Sequence, residues 1–434
     1  MAVEDSDPEG LDPVVGPSKP RLLQVLGPGL ITGASDDDPS GISTYSQAGA
    51  QFGYGLTWTM LFSYPLMAAV QMISARIGRT TGHGIAGVLR LHYPGWLLQS
   101  VVALLLVANT INLGADLGAM ADAVYLLLPG PRWLYILLFA GVCLYMQVFL
   151  QYTRYVAVLK WLTLALFAYF AALVTTHVDW SQLLRGLLVP KLTWSPDDLT
   201  TIVAVFGTTI SPYLFFWQSS QEAEEIASSP KQKSIRSAPR GATKQFRRMR
   251  FDTLAGMAFS NLIAIAIMLA TAATLNRQGI VQIDSAAQAA EALRPVAGSF
   301  AFALFAIGII GTGFLAVPVL AGSGAFAVAE VFGWREGLEY QPKQAAGFYS
   351  IIVAATMIGV LLDWSSIDPI RALFWSAVLN GLAAVPLMIA MMIVVSRHKV
   401  MGRFTASRPL LLLGWAATAV MALAAMAMLV TSFP

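Results

Sequence analysis

Apolar runs long enough to cross a bilayer recur along nearly the whole of this chain, and they leave few architectures open to it. A hydrocarbon core of about 30 Å needs about 20 apolar residues of helix. Eleven such spans can be drawn, at 22–50, 55–77, 96–128, 132–151, 154–176, 198–226, 252–274, 296–331, 345–362, 367–395 and 408–431. Only 12% of the 434 residues are charged, and the mean hydropathy is +0.65; a soluble domain carries about 25% charged residues. The expected protein is therefore all-α and integral to the membrane, with a single polytopic domain over 21–434. Residues 1–20 are polar, acidic and proline-rich. They lack the basic-then-apolar order of a secretory signal and are read as a disordered tail. The single cysteine, Cys143, allows neither an internal disulfide nor a CxxC metal site.

The loops give an orientation. The segment KQKSIRSAPRGATKQFRRMR, Lys231 to Arg250, holds eight Lys/Arg, within a basic loop over 227–250. Arg76, Arg79 and Arg90 follow span two, and Arg397, Lys399 and Arg403 follow span ten. The loops at the opposite end carry one or two positive residues each. The excess of Lys/Arg on cytoplasmic loops places the N-terminus in the cytoplasm and, with an odd number of spans, the C-terminus outside. A topogenic role accounts for the basic loop, with lipid-headgroup binding as the alternative. The net charge of +3 is small and points to no nucleic-acid partner. The expected partners are a bilayer and a metal ion, the chain is expected to be a monomer, and no resident cofactor is called for. Tyr93 to Trp96, Trp133, Trp180 and Trp194 fall near predicted span ends, where amphipathic rings favour the interface.

Two spans are interrupted. Span one reads LLQVLGPGLITGASDDDPSGISTYSQAGAQFGYG and span six DLTTIVAVFGTTISPYLFFWQSSQEAEE, with Pro39 and Pro212 near their middles. Proline removes a helical hydrogen bond and clashes with the preceding turn, and in lipid the freed carbonyls must find partners. Interrupted helices at matching places in two halves point to an inverted-repeat transporter with its site where the breaks meet. Spans 1–5 and 6–10 are the expected repeats. An ionised aspartate at membrane depth costs several kcal/mol unless paired or hydrated. Asp38 is accordingly a candidate ligand, and also a candidate N-cap with Pro39 at the first helical position. Asp36 and Asp37 are weaker candidates, facing an aqueous vestibule.

The run GPGLITGASDDDPSGISTYSQAGAQFGYGLTW resembles the first helix of the NRAMP (natural resistance-associated macrophage protein) divalent-metal transporters. VANTINLGADLGAM resembles their third helix and RRMRFDTLAGM the start of their seventh. The resemblance covers most of spans one to ten. It implies a leucine-transporter-type fold, alternating access and a divalent cation held between the two broken helices. The departures are informative. The family's Asp-Pro-Gly-Asn stands here as Asp38-Pro39-Ser40-Gly41, and its Met-Pro-His as Ser211-Pro212-Tyr213. The alanine whose carbonyl helps bind metal corresponds to Thr208, the third-helix Asp-Leu-Ala-Glu to Asp116-Leu117-Gly118-Ala119, and a tenth-helix glutamine to Ala377.

Thioether ligands favour transition metals over Mg²⁺. Without one, the expected site offers oxygen alone, from Asp38, Ser40, Thr208, Thr209 and Ser211, with Gly41 in the asparagine's place and carbonyls freed by the breaks. Such a site, enlarged by the smaller Gly41 and Ala377, suits hard, largely hydrated Mg²⁺, and also Mn²⁺. This places the chain near the NRAMP-related magnesium transporters. Tyr213 and Ala119 cannot replace the family's histidine and glutamate in proton transfer near neutral pH, so proton coupling is expected to be weak or absent. Asp116, Tyr213, Asp37 and Asn112 remain as candidates along the ion path. Asp116 is equally open to a structural role, and Asn109, Asn112 and Asp116 to an interhelical polar network.

The histidines, His83, His92, His177 and His398, fall at loops or helix ends without metal spacing and are read as solvated. Glu222, Glu224 and Glu225 are read as a solvated helix end or as vestibule lining. A bacterial inner-membrane carrier is the expectation. A proton-coupled Mn²⁺ or Fe²⁺ importer and a sodium-coupled amino-acid or amine transporter are the alternatives, and a membrane sensor ranks below them. No Walker loop, HExxH or GxSxG occurs, so no enzyme is expected.

Overall fold

The computed structural model describes residues 28–150, 162–176, 178–190, 194–227, 234–239, 242–338, 340–363 and 368–432. The 1–20 tail, the start of span one, the first part of span five, His177 and parts of the 227–250 loop lie outside the described residues. No strand occurs among the described residues. The helices of eight or more residues are α1 Pro28–Asp36, α2 Pro39–Phe52, α3 Trp58–Thr81, α4 Ile85–His92, α5 Gly95–Tyr125, α6 Arg132–Phe149, α7 Phe167–Thr175, α8 Trp180–Leu188, α9 Pro196–Thr209, α10 Pro212–Ala227, α11 Ala242–Thr274, α12 Ala301–Phe332, α13 Ala346–Leu362, α14 Pro369–Ser396 and α15 Arg408–Ser432.

Among the described residues, eight segments are long and apolar enough to cross a membrane, and they correspond to expected spans two, three, four, six, seven, eight, ten and eleven. Span one is split into α1 and α2, of 9 and 14 residues. Span nine is α13, of 17 residues. Span five is described only from Leu162 to Thr176.

Both interruptions fall at the prolines. Pro39 opens α2, and the residue before it, Asp38, is extended at φ −69°, ψ 170°, the region to which a following proline confines it. Span six breaks in the same way: α9 ends at Thr209, Ile210 and Ser211 leave the helix, and Pro212 opens α10. The half-helices are held by close backbone approach. α1 and α2 both lie on α11, α9 lies on α14, and α10 on α3. A side chain at Gly33 would collide with the backbone of Gly256, and one at Gly207 with the Ala377 carbonyl and Gly381. Small residues at such crossings let membrane helices approach closely. Asp252 of α11 accepts from the Gly29 amide at 2.8 Å, placing a carboxylate at the positive N-terminal end of α1.

The outer surface agrees with a lipid-facing protein. Trp96, Trp133, Trp180 and Trp194 are all exposed, as interfacial tryptophans should be. α8 shows an apolar face of Trp180, Leu184 and Leu188 outward and buries Leu183 and Gly186.

Candidate functional site

Asp38 sits where the two breaks meet, and both its carboxylate oxygens are engaged. Oδ1 accepts from the Gly41 amide at 2.7 Å and the Ser40 hydroxyl at 2.6 Å. It is the N-cap of α2, satisfying a donor that the helix start leaves free. Oδ2 accepts from Asn112 Nδ2 of α5 at 3.1 Å and from the Tyr213 hydroxyl of α10 at 3.0 Å. The Ser35 carbonyl, at the end of α1, lies 3.2 Å from the same tyrosine hydroxyl. One carboxylate thus ties together both halves of span one, span three and span six. Asn112 is oriented in turn by Ser376 of α14, whose hydroxyl donates to Asn112 Oδ1 at 2.6 Å.

The other expected ligands surround this carboxylate with hydroxyls. Thr208 Oγ1 is 3.5 Å from Ser40 Oγ. Thr209 Oγ1 is 3.0 Å from the Tyr45 hydroxyl and donates to the Val205 carbonyl at 2.6 Å. Ser211 Oγ lies 2.7 Å from the carbonyls of both Gly207 and Thr208, so its hydrogen serves the frayed end of α9. All keep oxygen lone pairs with which to receive a cation. Among the described residues, no three His, Cys, Asp or Glu side chains are grouped to hold a metal ion. A cation here would meet one carboxylate, neutral oxygens and water. The space left at Gly41 itself is narrow. A Cβ added at Gly41 would lie 3.2 Å from Thr208 Oγ1 and 3.3 Å from the Tyr45 ring, and Ala377 is fully buried where α14 meets α9.

Asp37 and Asp36 are not open to solvent among the described residues. Both are buried, and both reach Ser260 of α11: its hydroxyl contacts Asp36 Oδ2 and lies 3.2 Å from Asp37 Oδ1. Asp116 is fully buried, and neither of its oxygens has a hydrogen-bond partner among the described residues. Asn109 belongs to the interhelical network, donating to the Leu320 carbonyl at 3.0 Å and Ser323 Oγ at 2.7 Å. Ser260, Ser376 and Tyr45 were not among the residues singled out from the sequence. Lone serines and a tyrosine within apolar spans carry no signal until the helices are placed together.

The ends of the molecule differ. At the end away from the basic loops, a cavity of about 320 Å³ is lined by Ser43, Gln47, Thr201, Asp284, Ile370 and Arg371, among others. Its lining reaches Ser43, five residues along the chain from Asp38, where the Ser43 hydroxyl donates to the Ile370 carbonyl at 3.1 Å. At the basic end Glu222 is buried, not solvated as one reading of the sequence had it. Arg79 lies 3.8 Å from Glu222 and 3.5 Å from Glu225, and Arg248 lies 3.3 Å from Glu225. His83, His92 and His398 are exposed.

Comparison with known proteins places this architecture. The family model described as natural resistance-associated macrophage protein-like matches residues 29–431. The chain is 29% identical over 422 residues to the divalent metal cation transporter MntH of Burkholderia ambifaria, covering 92% of this chain and 87% of that protein. It is 25% identical over 410 residues to MntH of Klebsiella pneumoniae, covering 92% of each. Among solved structures, the manganese transporter of Eremococcus coleocola bound to an aromatic bis-isothiourea compound superposes with a TM-score of 0.76 at 19% identity, over 96% of this chain and 88% of that one. MhsT in complex with L-phenylalanine gives 0.61 at 12% identity, over 93% and 98%. These two likenesses show a shared fold, with spans one and six broken as in leucine-transporter-type carriers.

Proposed function

The chain belongs to the natural resistance-associated macrophage protein-like family, and from that premise we propose that it carries divalent metal cations across the membrane by alternating access, with Asp38 as the charged ligand. One observation carries this reading. A buried carboxylate stands at the junction of two broken helices, bonded to Ser40, Gly41, Asn112 and Tyr213. The names of the relatives and of the manganese transporter support a divalent metal as cargo.

The donor set supports the finer reading. Oxygen ligands suit Mg²⁺ and Mn²⁺, and the absence of a thioether removes the preference for softer metals. Binding requires the donors on Asp38 Oδ2 to give way. The Asn112 amide can turn to offer its oxygen, because the Ser376 hydroxyl accepts as well as it donates. Tyr213 withdraws its hydroxyl toward the Ser35 carbonyl, already within reach at 3.2 Å. The hydroxyls of Ser40 and Thr208 need only rotate. Ser40, Gly41, Thr208, Thr209 and Ser211 then form the neutral part of the shell, with water completing it.

Tyr213 and Ala119 stand where proton-carrying side chains are expected from the family resemblance, so coupling to protons through them is weak or absent. The cytoplasmic assignment of the basic end rests on the distribution of Lys/Arg. The vestibule at the other end then opens outward, toward the side from which a bacterial inner-membrane importer collects its ion.

The test is flux. Purified protein in liposomes loaded with a Mg²⁺ or Mn²⁺ indicator should admit both ions, and Asp38→Ala should admit neither. Normal flux through Asp38→Ala would remove the site assignment. Flux of Mn²⁺ alone, accompanied by protons, would replace the hard-cation reading with the ordinary activity named for the relatives.

A further inference from the structure

We propose that Asp36 and Asp37, joined by Ser260, form a second cation site on the α1 side of the break, taking one divalent hard cation independently of Asp38. The proposal rests on the reading above only for the class of ion. Its starting point is a contrast between neighbouring carboxylates. Asp38 has two donors on each oxygen and is satisfied without an ion. Asp36 and Asp37 are as deeply buried, at 0% and 1% exposure, yet Asp36 Oδ1 and Asp37 Oδ2 have no hydrogen-bond partner among the described residues.

Their other oxygens converge on one atom, Ser260 Oγ. A hydroxyl has a single hydrogen and cannot donate to both. The pair is therefore short of positive partners by more than one bond. A buried carboxylate left in that state costs several kcal/mol. No basic side chain makes up the deficit. Arg79 is the one buried Arg or Lys among the described residues, and it lies with Glu222 and Glu225 at the basic end.

The backbone points the same way. Asp36 is the last residue of α1, so the site lies at the negative end of that half-helix, where a cation is favoured. Half-helix C-termini hold cations in carriers of this architecture. Two carboxylates balance two positive charges, and an all-oxygen shell of two carboxylates, a hydroxyl and water is the usual setting for Mg²⁺ and also suits Mn²⁺. Ser260 holds the two side chains in one geometry on α11, whose backbone approaches α1 at Gly33 and Gly256. An ion at Asp36 and Asp37 would lie between Asp38 and the basic end, on the route by which α1 connects the two.

Equilibrium dialysis of the full-length protein in detergent against Mn²⁺ tests this by counting. Two Mn²⁺ per chain are expected for the wild type, one for Asp36→Asn/Asp37→Asn and one for Asp38→Asn, with excess Mg²⁺ displacing both from the wild type. Ser260→Ala keeps both carboxylates and should weaken the second site about tenfold, leaving the first unchanged. One Mn²⁺ per wild-type chain, lost in Asp38→Asn and kept in the double variant, would overturn the second site and leave the proposed function standing. Loss of the second Mn²⁺ in NaCl but not in choline chloride would make it a sodium site and overturn the divalent assignment. No Mn²⁺ bound to any form would overturn both. Unchanged melting curves for the variants exclude misfolding as the cause.

Discussion

At the residue scale, Asp38 was legible because two independent rules meet on it. A carboxylate at membrane depth needs a reason, and the residue before a proline that opens a helix is a natural cap. The structure gives it both a cap bond and two bonds facing away from the helix. Those last two were not legible: Asn112 lies 74 positions away and Tyr213 175, and only folding brings them to one oxygen. The same distance hid Ser260, whose hydroxyl lies 3.2 Å from Asp37 Oδ1 although 223 positions separate them. Tyr213 gives a sharp prediction. Its hydroxyl donates to Asp38 where the cation must come, and a bond to a charged group is worth about 1.5–3 kcal/mol. Tyr213→Phe should therefore lower the melting temperature in the absence of ion and tighten Mn²⁺ binding at Asp38, by about tenfold for the first 1.4 kcal/mol released. Isothermal titration with the single variant reads this directly. Weaker binding would mean that the phenol oxygen is itself a ligand.

At the scale of the helix, the sequence located the elements well, because apolar runs bounded by Arg, Trp, Gly and Pro leave little latitude for their ends. What it left open was how the helices cross. Gly33 and Gly256 read as ordinary glycines of membrane helices, and their contact appears only when α1 is laid on α11. Both partners are backbone and cannot yield. Gly33→Ala should push the helices apart, cost roughly 1–3 kcal/mol, and lower the thermal midpoint in detergent. Gly95→Ala, at a position with nothing within 4 Å, should leave that midpoint unchanged. A second prediction belongs to the loop after α12. Burial pushes the Glu336 carboxyl up to about 9, with Glu330 and Glu224 adding to the shift and Arg90 opposing it. Its folded form holds a proton that the unfolded chain gives up near pH 4.5. Stability from this group is thus full below about pH 4.5, falls as pH rises from there to about 9, and levels off beyond. Glu336→Gln should become steadily more stable relative to the wild type between about pH 5 and 9. Parallel melting curves across that range would remove Glu336 from the balance.

At the scale of the whole molecule, what matters is the charge carried from one end to the other. On the proposed reading, Tyr213 and Ala119 stand in place of the residues that would take a proton in the ordinary family pattern, and a divalent cation would cross with its full charge. Each elementary charge moved through 100 mV is worth about 2.3 kcal/mol, and two charges about 4.6 kcal/mol. That alone supports an accumulation of more than about a thousandfold, since each 1.36 kcal/mol is a factor of ten. No proton gradient is then required. In liposomes clamped with a potassium gradient and valinomycin, the initial rate of Mg²⁺ uptake should rise as the interior is made more negative, while an internal pH indicator stays flat. Setting the external pH at 6 or 8 under the same potential should change that rate little. A rate indifferent to potential, or internal acidification in step with Mg²⁺, would show that a counter-charge or a proton travels with the ion. The electrogenic reading would then fall, and the buried carboxyl groups of Asp36, Asp37 and Asp116 would be where to look for the proton.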